Sequence, residues 1–350
     1  MKKQNRKPFI SIVIPTYNRS KYLQCAIQGV LQQNFKDYEL IISDNASTDD
    51  TQKVVSGVIS NRVRYFRNKK NIGWIGNLQN AIDNANGKYI FLHGDDDYIF
   101  ANNCLPHLHE ILMKYPVGFV RMNYLTYADK TGDISDIHNP RLTAKTIKSK
   151  LKGDDIVSWI QEIDPFFITG QIISKKALTK NRLIQSEYVP WFPAMYEAIK
   201  KQGGVVLPEY HFITSWSQND TPRYKVKNNE YAFEKYYLEV KKQVSESFYI
   251  RFLNRHLRIL ISEFPAARYY LSLKAFWQYA LHVLDLDSTK RKSLYFWFYF
   301  LGSLVMPKFV LSGLRYYFLH KRNEDGQNYS AIRHHIANFQ KIKEDTKDFV

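Results

Sequence analysis

Three consecutive aspartates are the residues of this chain whose spacing points most directly to chemistry. Asp95, Asp96 and Asp97 come just after the apolar run KYIFLH at residues 88–93. Adjacent carboxylates repel one another unless a cation or hydrogen-bond donors share the site. Such oxygen ligands suit Mg²⁺ or Mn²⁺, which take one or two protein carboxylates and complete the shell with phosphate and water. A solvated acidic turn is the alternative, but the apolar run before the aspartates favours the metal.

Polar residues also follow three other apolar runs. A carboxylate such as Asp44 can accept hydrogen bonds from a nucleobase or ribose, and the Tyr17 ring can stack on a base. The same segments could be plain turns, with Ser47 capping a helix that begins near Asp50, so both interpretations stay open. The candidate nucleotide-binding residues are Pro15, Thr16, Tyr17, Asn18, Asp44, Asn45, Asn71 and Gly73.

Alternating strands and helices must position these residues. Apolar runs predict strands at residues 9–15, 38–43, 63–67 and 88–93, and three-and-four spacing of apolar residues predicts the intervening helices, including 51–60 and 74–86. This alternation is typical of an α/β protein with a parallel sheet. Ligands bind at the carboxyl ends of such strands, so the candidate residues should share one edge of the sheet. Further along, we predict strands at 117–124 and 166–174, helices at 154–163 and 193–201, and a polar loop at 128–150.

Composition excludes several classes of protein. The 350 residues are 45% hydrophobic and 24% charged, unlike a disordered, collagenous or coiled-coil chain. Two cysteines cannot form a disulfide framework or a multi-thiolate metal site, and they suit a reducing compartment. The basic opening lacks the features of a signal peptide, so we expect a cytoplasmic protein. The chain contains no GxG, HExxH, GxSxG or CxxC motif.

The charge is concentrated toward the C-terminus. The net charge is +17, and residues 221–350 alone carry 22 basic and 12 acidic side chains. This helical, aromatic-rich region includes Leu294 to Met306, which as a helix of 13 residues would span about 20 Å against roughly 30 Å of bilayer hydrocarbon. Flanking Lys and Arg residues favour an interfacial helix. A helix buried against the catalytic domain is the alternative.

Four motifs, in order, resemble one enzyme family. SIVIPTYNRSKYL, ELIISDNASTDDT, NIG followed by GNLQNAI, and GKYIFLHGDDDYI are similar to the nucleotide-sugar half of family 2 glycosyltransferases. The likeness covers roughly residues 8–215, and LHGDDD resembles the O-antigen and capsule branch, including abequosyltransferase-like members. It implies a GT-A fold, a Rossmann-like mixed sheet flanked by helices. We therefore expect a catalytic domain at 1–220 and a helical extension at 221–350.

The resemblance also implies roles for the motif residues. Thr16 and Tyr17 would line the base pocket, Asp44 would hydrogen-bond the base, and Asn71 would lie near the nucleotide. Asp95 would face the ribose or sugar, while Asp96, or alternatively Asp97, would bind Mg²⁺ or Mn²⁺. The implied reaction is inverting transfer from a nucleoside diphosphate sugar, most simply a UDP-sugar. The acceptor would be a polyprenyl-linked or oligosaccharide glycan at the inner face of the plasma membrane.

The chain departs from the family pattern where the catalytic base is expected. Family members usually carry an acidic pair before the strand that corresponds to Gly203 and Gly204, and here Pro190 and Trp191 stand in its place. Glu187 is the nearest upstream acid and is our candidate base.

Other assignments remain open at this point. Asp164 and Glu197 are rivals for the base, and a fold that has lost its base is a further alternative. A sugar nucleotidyltransferase would need a glycine-rich loop that PTYNRS lacks. A nucleic-acid binder could use the basic tail, although we expect no nucleic acid.

Overall fold

The computed structural model describes residues 7–128, 134–137, 145–147, 151, 153–163, 167–186, 189–216, 234–262, 264–307, 309–311 and 313. The described residues fall into two compact units, the first ending at Trp216 and the second beginning at Glu234.

The first unit is built around one mixed sheet. In the described residues the strand order is β3-β2-β1-β4-β9-β6-β10-β5, with β7 on β6 and β8 on β10. The strands are Ile10–Thr16 (β1), Tyr38–Asp44 (β2), Val63–Arg67 (β3), Tyr89–Leu92 (β4), Asp97–Ile99 (β5), Phe119–Ala128 (β6), Ile134–Ile137 (β7), Lys145–Ile147 (β8), Gln171–Ser174 (β9) and Gly204–Trp216 (β10).

The N-terminal half of the sheet is parallel. β1 pairs in parallel with both β2 and β4, and β2 pairs in parallel with β3. All of β2 is buried, as is all of β1 except Pro15, which explains why these strands read as near-continuous apolar runs. The four carboxyl ends therefore lie on one edge, as the sequence predicts.

Helices with one apolar face cover the sheet. The first of them buries Leu23, Ala26, Ile27 and Val30, the three-and-four spacing of a single helical face. The helices of this unit are Ser20–Leu31 (α1), Thr51–Ser56 (α2), Gly73–Asn84 (α3), Cys104–Lys114 (α4), Gly153–Glu162 (α5), Lys175–Lys180 (α6) and Phe192–Gln202 (α7).

Three of the sequence-based expectations were wrong. The predicted polar loop at 128–150 contains β7 and β8, short strands without a long apolar run. The predicted strand at 166–174 is confined to β9, because Gly170 adopts a positive φ of 80° just before it. The helix predicted over 51–60 ends at Ser56, and its N-cap is Asp50, so Ser47 is not its cap.

The second unit is helical in the residues described. Its aromatic core includes Phe264, which meets Phe296 edge to face at 5.4 Å, and Phe276, which stacks on Phe300 at 5.6 Å. No helix within the described residues is both long enough and apolar enough to span a bilayer. The helices are Glu234–Gln243 (α8), Glu246–Ser262 (α9), Phe264–Tyr270 (α10), Leu273–Leu286 (α11) and Leu294–Val305 (α12), with a 3-10 turn at Ser288–Lys292.

Candidate functional site

The loops after β1 and β2 are joined into one structure at the sheet edge. Thr16 is the register partner of Asp44, and the Asn45 amide donates to the Thr16 carbonyl at 2.9 Å. The Asn18 amide donates to Ser47 Oγ at 2.9 Å, and the Thr48 amide returns a bond to Asn18 Oδ1 at 2.7 Å. Asn18 takes a left-handed backbone, φ 53°, which asparagine tolerates better than most residues. Ser47, expected as a helix cap, instead joins the two loops.

Asp44 ends β2 and is fully buried. Its Oδ1 accepts from the Ser47 amide at 2.8 Å, and its Oδ2 accepts from Tyr65 Oη at 2.6 Å and Arg67 Nε at 3.2 Å. Both donor side chains come from β3, the neighbouring strand. The carboxylate that the sequence suggests for a nucleobase is thus held by three groups of the protein itself.

Side-chain amides form a network beneath these loops. Asn77 of α3 donates from Nδ2 to the Ser43 carbonyl at 2.7 Å and to the Thr16 carbonyl at 3.3 Å. Its Oδ1 accepts from Ser43 Oγ at 2.8 Å and from Asn68 Nδ2 at 2.9 Å. Asn77 therefore ties together the ends of β1 and β2 and the segment after β3.

Asn45 extends this network to the loop before α3. Its Nδ2 donates to Asn71 Oδ1 at 2.8 Å, and its Oδ1 accepts from the Ile72 amide at 2.9 Å. Asn71 and Gly73 are exposed, and Gly73 has a positive φ of 78°. These two residues stand on the rim, whereas Asn45 is buried and positions them.

The three aspartates differ in depth. Asp95 is 7% exposed and Asp97 2%, whereas the Asp96 side chain retains 21% exposure. The Thr169 hydroxyl donates to Asp97 Oδ2 and accepts from the Gly94 amide at 2.7 Å. A Cβ at Gly94 would lie 2.5 Å from Asp97 Oδ2, so any larger residue there would force the Asp97 carboxylate to move. Asp97 begins β5 and faces inward, which leaves Asp96 as the most accessible carboxylate of the three.

Arg19 connects the first loop to the acidic residues. Its Nη1 lies 2.7 Å from Asp96 Oδ2 and 3.3 Å from Asp95 Oδ1. Arg19 immediately precedes α1, and it follows the Tyr17 and Asn18 turn. The contact confirms that residues after β1 and residues after β4 converge at one place on the sheet edge.

Burial controls the protonation of the acidic residues. Burial, followed by the charge of Asp96, raises the pKa of Asp95 to about 7, against the lowering effect of Arg19. Burial and the same neighbouring charge raise the pKa of Asp97 well above its usual range. Burial lowers the pKa of His93 to about 3, so this adjacent imidazole is neutral at physiological pH. Three carboxylates in a row thus do not carry three full charges near neutral pH.

The donor set fits a hard divalent cation that a ligand helps to hold. Among the residues that the structure describes, no three His, Cys, Asp or Glu side chains converge on one metal position. Asp95 and Asp96 supply two carboxylates, and Mg²⁺ typically uses one or two, with phosphate and water completing the shell. Tyr17, which is 44% exposed, lies in the same β1–α1 loop as Arg19, the residue that contacts both carboxylates.

Of the three candidate bases, the structure describes only Glu197. Glu187 and Asp164 lie outside the described residues, so their placement stays a prediction. The Glu197 carboxylate is paired with Lys201 and lies 3.8 Å from Lys180 Nζ. A hydrogen bond from Lys201 is the main reason that the pKa of Glu197 is lowered. A carboxylate stabilised in its charged form is a weak proton acceptor, so these contacts argue against Glu197 as the base.

Several residues at this edge escaped the sequence analysis. Tyr65 and Arg67 are two residues apart in β3, which places them on one face of the strand. Arg19 occupies the position just before α1. Their residue types and positions were visible, but their partners depend on strand register and loop path. The residues missed are Arg19, Tyr65, Arg67, Asn68 and Thr169.

Part of the first unit is similar to a known protein family. Residues 11–182 match the model of glycosyl transferase family 2. A Campylobacter jejuni protein named GalNAc(5)-diNAcBac-PP-undecaprenol beta-1,3-glucosyltransferase is 24% identical over 269 residues, covering 76% of this chain and 84% of that protein. The abequosyltransferase RfbV of Salmonella typhimurium is 34% identical over 152 residues, 42% of each chain.

A solved structure confirms the fold. Residues 1–349 of S. aureus TarS, crystallised with UDP-GlcNAc, superpose with a TM-score of 0.61 at 16% identity, covering 93% of both chains. The expected GT-A architecture is therefore confirmed.

Proposed function

We propose that the protein transfers a sugar, with inversion, from a nucleoside diphosphate sugar to a lipid-linked or growing glycan, a proposal supported by the match of residues 11–182 to the model of glycosyl transferase family 2. The observation that carries this proposal is the convergence of Arg19, Asp95 and Asp96, with the exposed Tyr17 two residues before Arg19 in the same loop. A cationic side chain, two carboxylates and an aromatic face are the groups that a nucleoside diphosphate and its cation require.

The acid pair and the Tyr17 loop would bind different parts of the donor. Asp96, with Asp95 beside it, would hold Mg²⁺ or Mn²⁺, which when bound offsets the charge of the departing diphosphate. Asp97 would support the Asp95–Asp96 pair rather than bind the ion, since it is 2% exposed and accepts a hydrogen bond from the Thr169 hydroxyl. Tyr17 would stack on the base, for which UDP is our first candidate.

Asp44 and Asn71 would act on the nucleoside in different ways. Asn71 stands on the rim and could hydrogen-bond the nucleotide directly. Asp44 is fully buried and bonded to Ser47, Tyr65 and Arg67. We therefore propose that Asp44 acts indirectly: it holds the loop that contains Ser47, and the Arg67 guanidinium, in position to contact the base.

The chemical step would be a single displacement. The acceptor hydroxyl oxygen attacks the anomeric carbon, the bond from that carbon to the diphosphate oxygen breaks, and a carboxylate takes the hydroxyl proton. Glu187 is our candidate for that carboxylate. The Glu187→Gln variant should lose about 10²-fold or more in kcat while binding UDP as before. Normal turnover by this variant would place the base elsewhere.

The acceptor is proposed to be presented at a membrane, because α12 exposes an apolar face. Leu294, Phe298, Leu301 and Val305 are 87%, 75%, 52% and 80% exposed. Their spacing of four, three and four residues places them on one side of the helix. The opposite side of α12 packs into the core of the second unit through Phe296 and Phe300.

The basic residues before α12 favour an anionic bilayer as the surface that its apolar face would contact. Exposed Arg291 and Lys292 lie just before Ser293, the N-cap of α12, and basic residues next to an apolar helical face favour anionic lipid headgroups. We propose that the protein works peripherally at the inner face of the plasma membrane. The undecaprenol-linked acceptor in the name of the Campylobacter relative is the kind of substrate that this location would supply.

Vesicle sedimentation tests the membrane contact. A Phe298→Ser, Val305→Ser double variant should lose about tenfold or more in binding to vesicles containing phosphatidylglycerol, since each side chain contributes about 1.5–3 kcal/mol when buried. The control is Ile59→Ser, which removes a fully exposed apolar side chain from the first unit. Equal binding by all three proteins would refute the contact, and a concentration-dependent dimer lost in the double variant would assign the face to a second copy of the chain.

A donor screen tests the catalytic proposal. UDP-, GDP-, CDP- and dTDP-sugars are compared for their effect on the melting temperature with and without Mn²⁺, because ligand binding stabilises the folded state by mass action. One class should raise the melting temperature, more strongly with Mn²⁺, and Asp96→Ala should remove the metal-dependent part. No stabilisation by any sugar nucleotide would contradict the proposal.

A further inference from the structure

Arg19 contacts both carboxylates of the Asp95–Asp96 pair. A single nitrogen, Nη1, contacts Asp96 Oδ2 at 2.7 Å and Asp95 Oδ1 at 3.3 Å. The three side chains are partly buried, with 31% of Arg19, 10% of Asp95 and 21% of Asp96 exposed. Two adjacent carboxylates at this depth require a counter-charge, and Arg19 supplies it from a part of the chain more than 70 residues away.

The chemistry of arginine makes this counter-charge permanent. A guanidinium stays protonated at every physiological pH, so it cannot leave the acid pair by losing its proton. It can leave only by moving, and the Arg19 side chain is nearly one-third exposed. The guanidinium also lies 5.9 Å from the centre of the Tyr22 ring, on the first turn of α1. The side chain therefore has a neighbouring aromatic face on which to rest.

A divalent ion and this guanidinium would compete for the same carboxylate oxygens. Like charges placed within a few ångströms repel one another strongly in a partly buried site. A diphosphate changes the balance, because it brings negative charge for both cations and pairs well with a planar guanidinium. The geometry thus predicts that the acid pair accepts a metal poorly alone and well together with a nucleotide.

We propose that Arg19 is an exchangeable counter-ion of the Asp95–Asp96 pair, which yields its place to the divalent cation of an incoming metal–nucleotide and then binds the diphosphate. This inference rests on the proposed function and deepens it. It assigns to one residue both the suppression of metal binding without nucleotide and the retention of the nucleotide once the metal is bound. The site would then load metal and donor together.

Removal of the guanidinium should therefore have two effects of opposite sign. In Arg19→Gln, binding of MnCl₂ alone should tighten by about tenfold, the order expected when a like charge near the ion is removed. Binding of UDP in the presence of saturating Mn²⁺ should weaken by about tenfold or more, the effect of losing a charge-assisted hydrogen bond to phosphate. A residue that merely stabilised the loop would weaken both.

Titration of full-length protein measures both quantities. The free Mn²⁺ signal in electron paramagnetic resonance gives metal binding without nucleotide, and calorimetry gives UDP binding with Mn²⁺. Arg182→Gln is the charge-matched control, because Arg182 pairs with Asp83 at 3.2 Å on the exposed surface of the same unit. This control should leave both affinities unchanged. Arg19→Lys, which keeps the charge but not the planar fork, should retain weak binding of Mn²⁺ alone and recover only part of the UDP affinity.

The outcomes separate the inference from the function on which it rests. If the unmodified protein binds neither Mn²⁺ with UDP nor any other metal–nucleotide, the proposed function fails. If the unmodified protein binds them and Arg19→Gln weakens or leaves unchanged the binding of Mn²⁺ alone, the inference is overturned and the function stands. If Arg19→Gln does not fold, Arg19→Lys provides the test. UDP affinity of Arg19→Lys equal to that of the unmodified protein would also overturn the proposal.

Discussion

Replacement of Asn77 by alanine should destabilise the protein far more than the loss of a single polar side chain suggests. Asn77 is 2% exposed and makes four hydrogen bonds, to Ser43 Oγ, the Ser43 carbonyl, the Thr16 carbonyl and Asn68 Nδ2. Each such bond contributes about 0.5–1.5 kcal/mol, and buried groups left without a partner cost more. We expect a loss of about 3 kcal/mol in the free energy of unfolding.

Asn80→Ala provides the matched control on the same helix. Asn80 is only partly buried; its Nδ2 donates to Asn68 Oδ1 at 2.7 Å, and its Oδ1 accepts from Asn84 Nδ2 at 3.0 Å. Water can replace both bonds at a partly buried site, so Asn80→Ala should cost only about 1 kcal/mol. Guanidinium chloride denaturation of the unmodified protein and the two variants measures the difference in unfolding free energy. UDP affinity should also fall in Asn77→Ala, because the ends of β1 and β2 lose the side chain that connects them. Equal destabilisation by the two variants would refute the claim that Asn77 holds the strand ends together.

Three further predictions follow from local geometry and protonation. Ala46→Gly should raise the free energy of unfolding by up to about 1 kcal/mol, because alanine at φ 64° is strained where glycine is not; chemical denaturation that shows a loss would contradict this. Gly87→Ala should cost about 2–3 kcal/mol, since its Cβ would lie 2.4 Å from the Ser11 backbone nitrogen, and a melting temperature within experimental error of the original would argue against it. Burial, followed by the charge of His107, lowers the pKa of His211 to about 4. Its contribution to stability is therefore complete above the unfolded pKa of about 6.5 and is lost as the pH falls toward 4. The difference in unfolding free energy between the protein and His211→Gln should shrink by up to about 1.4 kcal/mol per pH unit over that range, and a difference that is constant from pH 7.5 to 5 would exclude this role.

The sequence was most informative where burial alone determines the pattern. β1 and β2 are buried on both faces, so apolar runs marked them clearly, and α1 buries one regular face. β7 and β8 were missed because short strands that pair along one side need no long apolar run. The carboxyl-edge rule for parallel strands then placed the loops after β1, β2 and β4 together without any coordinates.

The partners of the site residues could not be predicted in the same way. The acceptors of Tyr65 and Arg67 depend on the register of β3 against β2, which the pattern of apolar residues does not specify for a strand whose residues are only partly buried. Arg19 meets the acid pair across 76 and 77 positions of sequence, and no spacing rule links residues so distant. The position of Glu187 remains a prediction of the sequence alone.

The most direct test of the central claim is a crystal structure of the protein with Mn²⁺ and a sugar nucleotide, with the metal located by anomalous scattering. We expect one strong anomalous peak within about 2.3 Å of a carboxylate oxygen of Asp96, the diphosphate on the other side of the metal, and the base against the Tyr17 ring. A nucleotide bound away from Tyr17, or a metal bound away from both Asp95 and Asp96, would contradict that claim.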